Sequence, residues 1–348
     1  MNHWTREVAA GTSVACSYSR QPLTDILQTP GVLSVISFTQ EAALGDDPRH
    51  IECGVPMLGQ PPVHEVWYAT GEVHSGYRGA CSWSCSDDTL FVARCIDEAG
   101  DGRSQCELVD EAYTELLDAM GAQGFSNIVR VWNYLPEINA GTGDDECYRH
   151  FCIGRERALD RFGYQGATFP SASALGHTGQ RTIVYLMASR GAVTHIENPK
   201  QVSAYDYPVE YGPASPSFAR ATLNECQASY SQLYVSGTAS IVGHQSRYAG
   251  DLQGQLRTTF SNLEALLGRS AETAGVSSLQ MGLLKIYVRR ESDLDEIQQA
   301  VKHQYPGIPA VYLRADICRR ELLVEIDGLS EVLEALPMST TLHPAMHE

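Results

Sequence analysis

Basic residues are scarce in this chain of 348 residues, which has 25 lysines and arginines against 42 aspartates and glutamates. The formal net charge at pH 7 is therefore -17. Binding to nucleic acid or to an anionic membrane needs a basic surface, so this charge balance argues against both partners. An anionic small molecule would need a local cluster of arginines that acts against the overall field.

Long hydrophobic runs are also lacking. No stretch approaches the roughly 18 apolar residues of a membrane span. The first residues, Met-Asn-His-Trp-Thr-Arg, do not have the apolar core of a secretory signal. We therefore expect a cytoplasmic protein whose ten cysteines are reduced thiols.

The usual signatures of metal, phosphate and nucleophile sites are missing as well. Cys81 and Cys85 have no second Cys or His pair at a matching spacing, so no metal site is predicted. The segment 237–243 is rich in glycine but lacks the lysine of a phosphate-binding loop. No Ser-His-Asp arrangement is legible around Ser171 and Ser173. The chain is expected to be free of cofactors.

What is present is a repeated order of apolar segments. Short strands are predicted at 32–38, 65–70 and 90–95. A helix at 107–120, a strand at 127–135 and a helix at about 145–161 follow. The later segments repeat this order, with predicted helices at 254–267 and 293–304 and predicted strands at 283–288, 310–313 and 322–326. The pattern indicates an α/β protein with an internal repeat.

Two units are expected from this repeat and from the chain length. The first unit, 1–190, contains the extra N-terminal strands, and the second unit is 191–348. The segment 165–224 is rich in Gly, Pro, Ser, Tyr and Thr. We interpret it as a long loop, and loops of that size usually carry function.

A single acid interrupts the last apolar segment. Glu325 lies within Leu322-Leu-Val-Glu-Ile326. A buried carboxylate must be paired or must have a shifted pKa, and shifted carboxyl groups cluster at active sites. A glutamate on an edge strand that points to water would fit the same spacing.

Arginines and tyrosines gather in two places. Arg149, Arg155, Arg157 and Arg161 occupy one short helical segment, although for each of them singly a surface position is favoured. For Tyr148 and Arg155 together we favour a function, because a planar guanidinium is a good partner for a carboxylate. The segment from Tyr205 to Arg220 interleaves tyrosines with arginine and could bind a polar ring that carries carboxylates. A well-packed Tyr/Pro loop is the alternative.

Residues 230–335 resemble the RidA (YjgF) family of small trimeric proteins. The matching pieces are Val235-Ser-Gly237, Asn262-Leu263, Ile286-Tyr-Val288, Pro309-Ala310 and Leu323-Val-Glu-Ile326. The deaminases of that family carry an arginine directly after Pro-Ala, where this chain has Val311. Imine hydrolysis therefore lacks its carboxylate anchor here.

The whole chain is similar to the chorismatases, in which RidA-like modules are fused. The motifs that carry the resemblance are Val129-Arg-Val-Trp-Asn-Tyr-Leu-Pro-Glu-Ile-Asn139, Cys147-Tyr-Arg149, Gly154-Arg-Glu-Arg157, Phe169-Pro-Ser-Ala-Ser173, Ser236-Gly-Thr-Ala-Ser-Ile-Val-Gly-His244, and Cys318 seven residues before Glu325. They are most like those of bacterial members that form hydroxybenzoates as precursors of pigments and ubiquinone.

The resemblance implies a fold, a substrate and a cleft. The fold would be fused RidA/YjgF-like (chorismate mutase-like) modules, with mixed sheets and helices packed on one face. The substrate would be chorismate, bound between the modules. Glu325 would be the general acid that protonates the enolpyruvyl group and releases pyruvate. Tyr148, Arg155, Tyr205 and Arg220 are the expected substrate-binding residues.

Two further positions bear on the product. Family members that form 3-hydroxybenzoate carry cysteine at the position of Cys318, whereas those that only hydrolyse chorismate to a diene diol carry a smaller residue. Ala239 stands where the strict 3-hydroxybenzoate type has glycine, so 4-hydroxybenzoate as a second product stays open. A chorismate hydrolase, an imine deaminase and a non-catalytic binder of aromatic acids are the alternative functions. The assembly is expected to be a homotrimer or a monomer.

Overall fold

The computed structural model describes residues 14–97, 102–227 and 230–333. Three sheets of five, seven and six strands share one apolar core, to which each contributes one face. Helices cover the outer faces of the two larger sheets. This arrangement confirms the predicted α/β class with mixed sheets and helices on one face. Within the described residues, no helix is long and apolar enough to cross a membrane.

The N-terminal strands form a sheet of their own, in the order β1-β5-β2-β4-β3. Its elements are β1 (Val14–Ser19), α1 (Leu23–Leu27), β2 (Val32–Ser37), β3 (Ala42–Leu44), β4 (His50–Cys53) and β5 (His64–Ala69). Every residue of β2 is buried, because the strand packs on the core with one face and against α1 with the other. The predicted strands 32–38 and 65–70 are thus confirmed.

The seven-stranded sheet has the order β19-β10-β9-β11-β8-β7-β6. Its elements are β6 (His74–Arg78), β7 (Cys81–Cys85), β8 (Thr89–Asp97), α2 (Gln105–Ala122), β9 (Asn127–Pro136), α3 (Cys147–Arg161), β10 (Ser171–His177), β11 (Arg181–Ser189) and the late strand β19 (Asp316–Ile317). Helix α2 begins at a capping box in which Glu107 Oε2 accepts from the backbone N–H of Ser104 at 2.9 Å. It packs with α3 on the outer face of the sheet.

The six-stranded sheet has the order β12-β13-β14-β20-β17-β18. Its elements are β12 (Ala192–Ile196), β13 (Ala221–Gln227), β14 (Tyr230–Thr238), α4 (Leu252–Ala274), β17 (Leu283–Val288), α5 (Leu294–Gln304), β18 (Ala310–Arg314) and β20 (Val324–Leu333). A two-stranded hairpin, β15 (Ile241–Val242) with β16 (Gln245–Ser246), follows β14. Helices α4 and α5 supply the apolar face that covers this sheet.

The internal repeat is visible in the topology. In the seven-stranded sheet, β9 and β10 pair in parallel and α3 connects them. In the six-stranded sheet, β17 and β18 pair in parallel and α5 connects them. A parallel pair needs such a crossover, which explains why an apolar strand precedes a helix in both halves of the sequence.

The interpretation of 165–224 as one long loop is wrong. This segment holds β10, β11, β12 and the start of β13, and its longest stretch without a strand is 197–220. Strand β10 reads Ser-Ala-Ser-Ala-Leu-Gly-His and is buried throughout. Its small residues let neighbouring groups approach closely, since a Cβ on Gly176 would lie 2.3 Å from Ile138 Cγ2. Such a strand has no apolar periodicity for sequence reasoning to detect.

The strand of Glu325 lies inside its sheet, between β14 and β17. Glu325 is 5% exposed, so the edge-strand alternative is wrong. The expected unit boundary at 190/191 falls between β11 and β12, although β19 from the later part of the chain joins the seven-stranded sheet. The division into 1–190 and 191–348 stays a prediction.

Candidate active site

A β-bulge shapes the strands around Glu325. Val235 of β14 lies opposite Gly328 of β20, and Thr238 lies opposite Ile326. Two residues of β14, Ser236 and Gly237, therefore face the single residue between those partners on β20. Bulges often occur next to active sites, where they redirect side chains.

Gly237 makes room for the carboxyl group of Glu325. A Cβ at position 237 would lie 1.9 Å from Glu325 Oε1, a distance that no side chain can accommodate. The backbone N–H of Gly237 also donates to Ser173 Oγ at 2.9 Å. The absence of a side chain at Gly237 thus brings the backbone of β14 into contact with Glu325.

The carboxyl group of Glu325 faces a cavity of about 330 Å³. Burial is the main cause that raises the pKa of Glu325 to about 8, and the nearby Asp327 adds to the shift. Arg130, Arg220 and Arg289 oppose it. Glu325 is therefore largely protonated at neutral pH, as a general acid must be.

Five arginines line the same cavity in this acidic protein, namely Arg149, Arg155, Arg220, Arg319 and Arg320. Arg155 projects from α3 and is 2% exposed. Its guanidinium carbon lies 5.0 Å from the centre of the Phe151 ring. Within the described part of the chain, Arg155 forms no ion pair, and its Nε has no hydrogen-bond partner. A buried guanidinium without an acid partner is suited to a ligand carboxylate.

Arg220 lies directly before β13 and is also buried. Its Nη2 donates to the carbonyl of Val202 at 2.9 Å and to Tyr207 Oη at 2.8 Å. The carboxylate of Glu197 approaches Arg220 Nε to 3.9 Å. Burial raises the pKa of Glu197 to about 7, and Arg220 opposes that shift. The guanidinium is thereby fixed while its charge is only partly balanced.

Arg319 joins two loops over the cavity. Its guanidinium carbon lies 4.2 Å from the ring centre of Tyr211 and 5.3 Å from that of Tyr207. Its Nη1 donates to the carbonyl of His244 at 2.9 Å and to Ser246 Oγ at 3.1 Å. The hairpin β15–β16 and the segment 204–212 are held together by these contacts.

Tyr148, Cys318 and Ala239 also line the cavity. Burial raises the pKa of the Tyr148 phenol well above its usual value. Burial is the main cause that raises the pKa of the Cys318 thiol to about 12, and the nearby Glu325 adds to the shift. Cys318 is therefore a neutral thiol that shapes the wall rather than a nucleophile. The carbonyl of Ala239 accepts from Asn262 Nδ2 at 3.0 Å, which ties this wall to α4.

The structure places Tyr205 outside the cavity. Its ring packs on Phe169 with 5.9 Å between centres, in a separate surface depression near Arg157 and Tyr164. The tyrosines of the segment 205–220 that line the cavity are Tyr207 and Tyr211. Short 3₁₀ turns, Ala204–Asp206 and Val209–Tyr211, direct neighbouring side chains to different sides, and sequence spacing does not reveal this. Tyr205 as a substrate-binding residue is therefore not retained.

A larger groove of about 700 Å³ lies between β1 and β18, next to α5. It is lined mainly by tyrosines, glutamines and apolar residues, and none of the described residues in its lining is a carboxylate. Val311, the residue after Pro-Ala, lies in this groove. The smaller cavity at Glu325 is the candidate active site, because it combines a shifted acid with convergent cations.

Comparison with known proteins agrees with this geometry. Residues 65–188 match the family model described as chorismatase FkbO/Hyg5-like, N-terminal. A 3-hydroxybenzoate synthase from Streptomyces hygroscopicus is 33% identical over 310 residues, which cover 86% of this chain and 90% of that protein. The chain belongs to the chorismatase family.

Two other chorismatases support this assignment. One from Streptomyces hygroscopicus is 36% identical over 276 residues, 76% of this chain and 78% of that protein. A crystal structure of a chorismatase superposes with a TM-score of 0.81 at 30% identity, and covers 91% of this chain and 98% of that one. The chorismatase fold is thus shared over nearly the whole length.

Behind the cavity lie two buried charged residues, Arg130 and Asp327, that sequence reasoning did not connect with Glu325. Arg130 of β9 is 1% exposed and lies 2.9 Å from Asp327 Oδ2. Two features of the sequence could have drawn attention to Asp327 and Arg130. Asp327 is two residues after Glu325 on one strand, hence on the same face, and Arg130 interrupts an apolar strand in the same way that Glu325 does.

Proposed function

We propose that this protein converts chorismate to pyruvate and 3-hydroxybenzoate, alone or together with 4-hydroxybenzoate. The observation that carries the proposal is the buried acid Glu325, which faces an arginine-lined cavity and whose pKa is raised to about 8. Chorismate has a ring carboxylate and an enolpyruvyl carboxylate. Its cleavage to pyruvate begins with the addition of a proton to carbon, which requires a strong, well-placed acid.

In this proposal, the arginines bind the two carboxylates. Arg155, with Tyr148 beside it, supplies one buried guanidinium that has no acid partner within the described residues. Arg220 and Arg319, with Tyr207 and Tyr211, supply the other pole of the cavity. Because Arg155 and Arg220 are almost fully buried, their charge-assisted hydrogen bonds to a carboxylate would be stronger than at the surface.

Glu325 then acts as the general acid. Its proton adds to the terminal methylene of the enolpyruvyl group, and the positive charge that develops at the neighbouring carbon is shared with the ether oxygen. Cleavage of the bond between that oxygen and the ring releases pyruvate. Loss of the hydrogen from the hydroxyl-bearing ring carbon then gives 4-hydroxybenzoate. For 3-hydroxybenzoate, the ring hydroxyl oxygen gives up its proton and bonds to the carbon that loses pyruvate; the epoxide so formed opens at its original C–O bond, the oxygen is reprotonated, and the ring hydrogen on its new carbon is lost. On either route one proton is donated to the methylene and one net proton is returned. No oxidant, reductant or added water is consumed in forming a hydroxybenzoate.

The residues Cys318 and Ala239 are proposed to set the product. The neutral thiol of Cys318 fills part of the wall close to Glu325. A smaller residue there would leave room for a water molecule, and water that enters would give the diene diol. Ala239 also lines the cavity, two residues after Gly237, which lies against Glu325. Its methyl group is expected to affect how the ring sits, and therefore the ratio of the two hydroxybenzoates.

The test is to incubate the purified protein with chorismate and to measure pyruvate and aromatic products. Wild-type protein should release pyruvate well above the uncatalysed rate, and Glu325→Gln should reduce turnover by about 100-fold or more. Glu272→Gln, which makes the same change at an exposed position of α4, is the matched control. An active Glu325→Gln variant would remove Glu325 from the acid role.

The alternatives predict different outcomes of the same assay. A diene diol with equimolar pyruvate would identify a chorismate hydrolase. Turnover of a preformed imine in place of chorismate would identify a deaminase, against the evidence of Val311. Chorismate binding without any product would identify a binding protein.

We also propose that chorismate is the partner of this protein in the cytoplasm, and that neither nucleic acid nor a membrane is one. Its assembly is proposed to be a homotrimer or a monomer. Sedimentation equilibrium at several protein concentrations distinguishes the two.

A further inference from the structure

Asp327 lies beside the proposed acid but is not used by the mechanism above. It is 1% exposed and follows Glu325 by two residues on β20, so both carboxyl groups point to the same side of the sheet. Three donors converge on its Oδ2, namely Arg130 Nη2 at 2.9 Å, Ser173 Oγ at 2.9 Å and Tyr287 Oη at 3.0 Å. Hydrogen bonds to a carboxylate stabilise its charged form.

The same groups connect Asp327 to the wall around Glu325. Arg130 donates to Ser173 Oγ as well as to Asp327. Ser173 Oγ also accepts from the backbone N–H of Gly237, the residue that lies against Glu325. Ser173 itself lines the cavity. A continuous set of hydrogen bonds thus holds the Asp327 carboxylate at a fixed place behind the acid.

We propose that Asp327, held by Arg130, Ser173 and Tyr287, is a positioning residue whose negative charge keeps the proton on Glu325. A negative charge beside a buried carboxyl group makes the ionisation of that group more costly, and Asp327 acts on Glu325 in this way. The consequence for turnover rests on the proposed function, whereas the effect on the Glu325 proton does not.

Charged groups from several elements face Glu325 and determine the sign of the effect. Asp327 favours the protonated form, whereas Arg130 of β9, Arg220 before β13 and Arg289 after β17 favour the ionised form. The titratable Cys318 thiol lies nearby, and Lys285 of β17 interacts with Asp327. Arg155 of α3 and the loop residues Arg319 and Glu321 line the same cavity as Glu325. Loss of the Asp327 charge would remove the largest electrostatic contribution that favours the protonated form of Glu325, and loss of Arg130 would remove one that favours the ionised form.

The test compares Asp327→Asn with Arg130→Gln. The asparagine oxygen can occupy the place of Oδ2 and accept the three donors, while its NH₂ group occupies the place of Oδ1, which has no partner within the described residues. In kcat/KM for chorismate, the fall in activity at alkaline pH should move to lower pH in Asp327→Asn, by about one unit or more. It should move to higher pH in Arg130→Gln and lie between the two in the double variant.

A second measurement reads the proton without turnover. The infrared C=O band of protonated Glu325 is isolated as the difference between each protein and the same protein with Glu325→Gln, and is followed from pH 5 to pH 10. Its midpoint should shift in the same two directions. This titration also applies if chorismate is not the substrate or if a variant folds but is inactive.

Exposed Asp295→Asn on α5 is the control and should leave both readouts unchanged. A merely structural role for Asp327 would lower activity in both variants with one common midpoint. Such a result, or an infrared midpoint in Asp327→Asn equal to that of the wild type, would overturn the proposal.

Discussion

The lack of a side chain at Gly237 leaves the space that the carboxyl group of Glu325 occupies. Substitution by alanine would put a methyl carbon 1.9 Å from Glu325 Oε1, so the carboxyl group must move. A displacement of about 1 Å in a catalytic group typically costs about 100-fold in rate. We therefore expect Gly237→Ala to lower kcat for chorismate by about that factor.

The matched control is Gly268→Ala in α4, where nothing lies within 4 Å of the added carbon. Alanine is a better helix former than glycine, so this variant should keep full activity and gain about 0.5–1 kcal/mol of stability. If Gly237→Ala retained wild-type activity, the close contact between β14 and the acid would be unimportant for catalysis.

The raised pKa of Glu325 also makes the stability of the protein depend on pH. Below pH 4.5 the carboxyl group is protonated in both the folded and the unfolded chain. Between pH 4.5 and about 8 the unfolded chain loses this proton while the folded chain keeps it, so the free energy of unfolding falls as pH rises.

Glu325→Gln has no proton to lose and escapes this penalty. We expect it to be more stable than the wild type at pH 8.5 and close to the wild type at pH 4.5. The 3.5-unit difference between 8 and 4.5 sets a ceiling of about 5 kcal/mol on this gain. Urea unfolding of both proteins at the two pH values measures it, and an equal stability difference at both would contradict the buried, protonated state.

Cys318 tests how the cavity wall governs the product. Because its thiol is neutral and lies next to Glu325, its role is to occupy space. We expect Cys318→Ala to keep pyruvate release but to form more of the diene diol and less hydroxybenzoate, as measured by chromatography. Cys106→Ala, which changes a partly exposed cysteine on α2, is the control. An unchanged product ratio would restrict Cys318 to packing.

At the scale of elements, the hairpin β15–β16 and the segment 204–212 cover the cavity through Arg319. Removal of the guanidinium takes away two hydrogen bonds and the contact with both tyrosine rings. Hydrogen bonds to charged groups contribute about 1.5–3 kcal/mol each. We expect Arg319→Gln to raise KM for chorismate by about tenfold or more, and to speed amide exchange at residues 241–246.

The exposed Arg269→Gln on α4 should change neither quantity. Unaltered exchange in the hairpin of Arg319→Gln would show that other contacts hold the two loops together.

The elements themselves could be predicted where their pattern is long and apolar. Strand Leu283–Val288 has the bounds that the sequence indicates, and the helix predicted at 107–120 is Gln105–Ala122. Helix α4 runs to Ala274 rather than 267, because its last turns bury small residues such as Ser270 and Ala271. Strand β10 was not predicted for the same reason, because most of its buried residues are small rather than large and apolar.

The site was predictable where one residue departs from its local pattern. Glu325 in an apolar strand and Arg155 in a helix are such cases. Arg130 and Asp327 could not be paired from sequence, since 197 positions separate them. The interleaved tyrosines and arginine of 205–220 and the family resemblance both point to Tyr205, but short turns direct Tyr207 and Tyr211 to the cavity instead.

At the scale of the whole molecule, buried charges join the three sheets. Lys285 Nζ of the six-stranded sheet lies 3.0 Å from Glu65 Oε2 of the five-stranded sheet. Arg130 of the seven-stranded sheet pairs with Asp327. The ring of Trp132 lies near both cations, 4.6 Å from Lys285 Nζ and 5.0 Å from the Arg130 guanidinium carbon. The packing of the sheets and the charge around Glu325 therefore depend on one another.

Glu65→Gln would leave Lys285 buried without its acid partner. Loss of one member of a buried pair typically costs about 3–5 kcal/mol. We expect the free energy of unfolding, measured with urea, to fall by that amount. The control is Glu115→Gln, which breaks the more exposed ion pair between Glu115 and Arg94 and should cost at most about 1 kcal/mol. Equal effects of the two substitutions would mean that the buried pair does not hold the sheets together.

The central claim is that Glu325 transfers its proton to the enolpyruvyl methylene of chorismate. A single turnover in D₂O, with pyruvate reduced to lactate as it forms and analysed by mass spectrometry, tests it most directly. Glu325 exchanges its proton with solvent before the reaction, so we expect one deuterium in the methyl group. A methyl group without deuterium would mean that the hydrogen came directly from the ring of the substrate, and would contradict the acid role of Glu325.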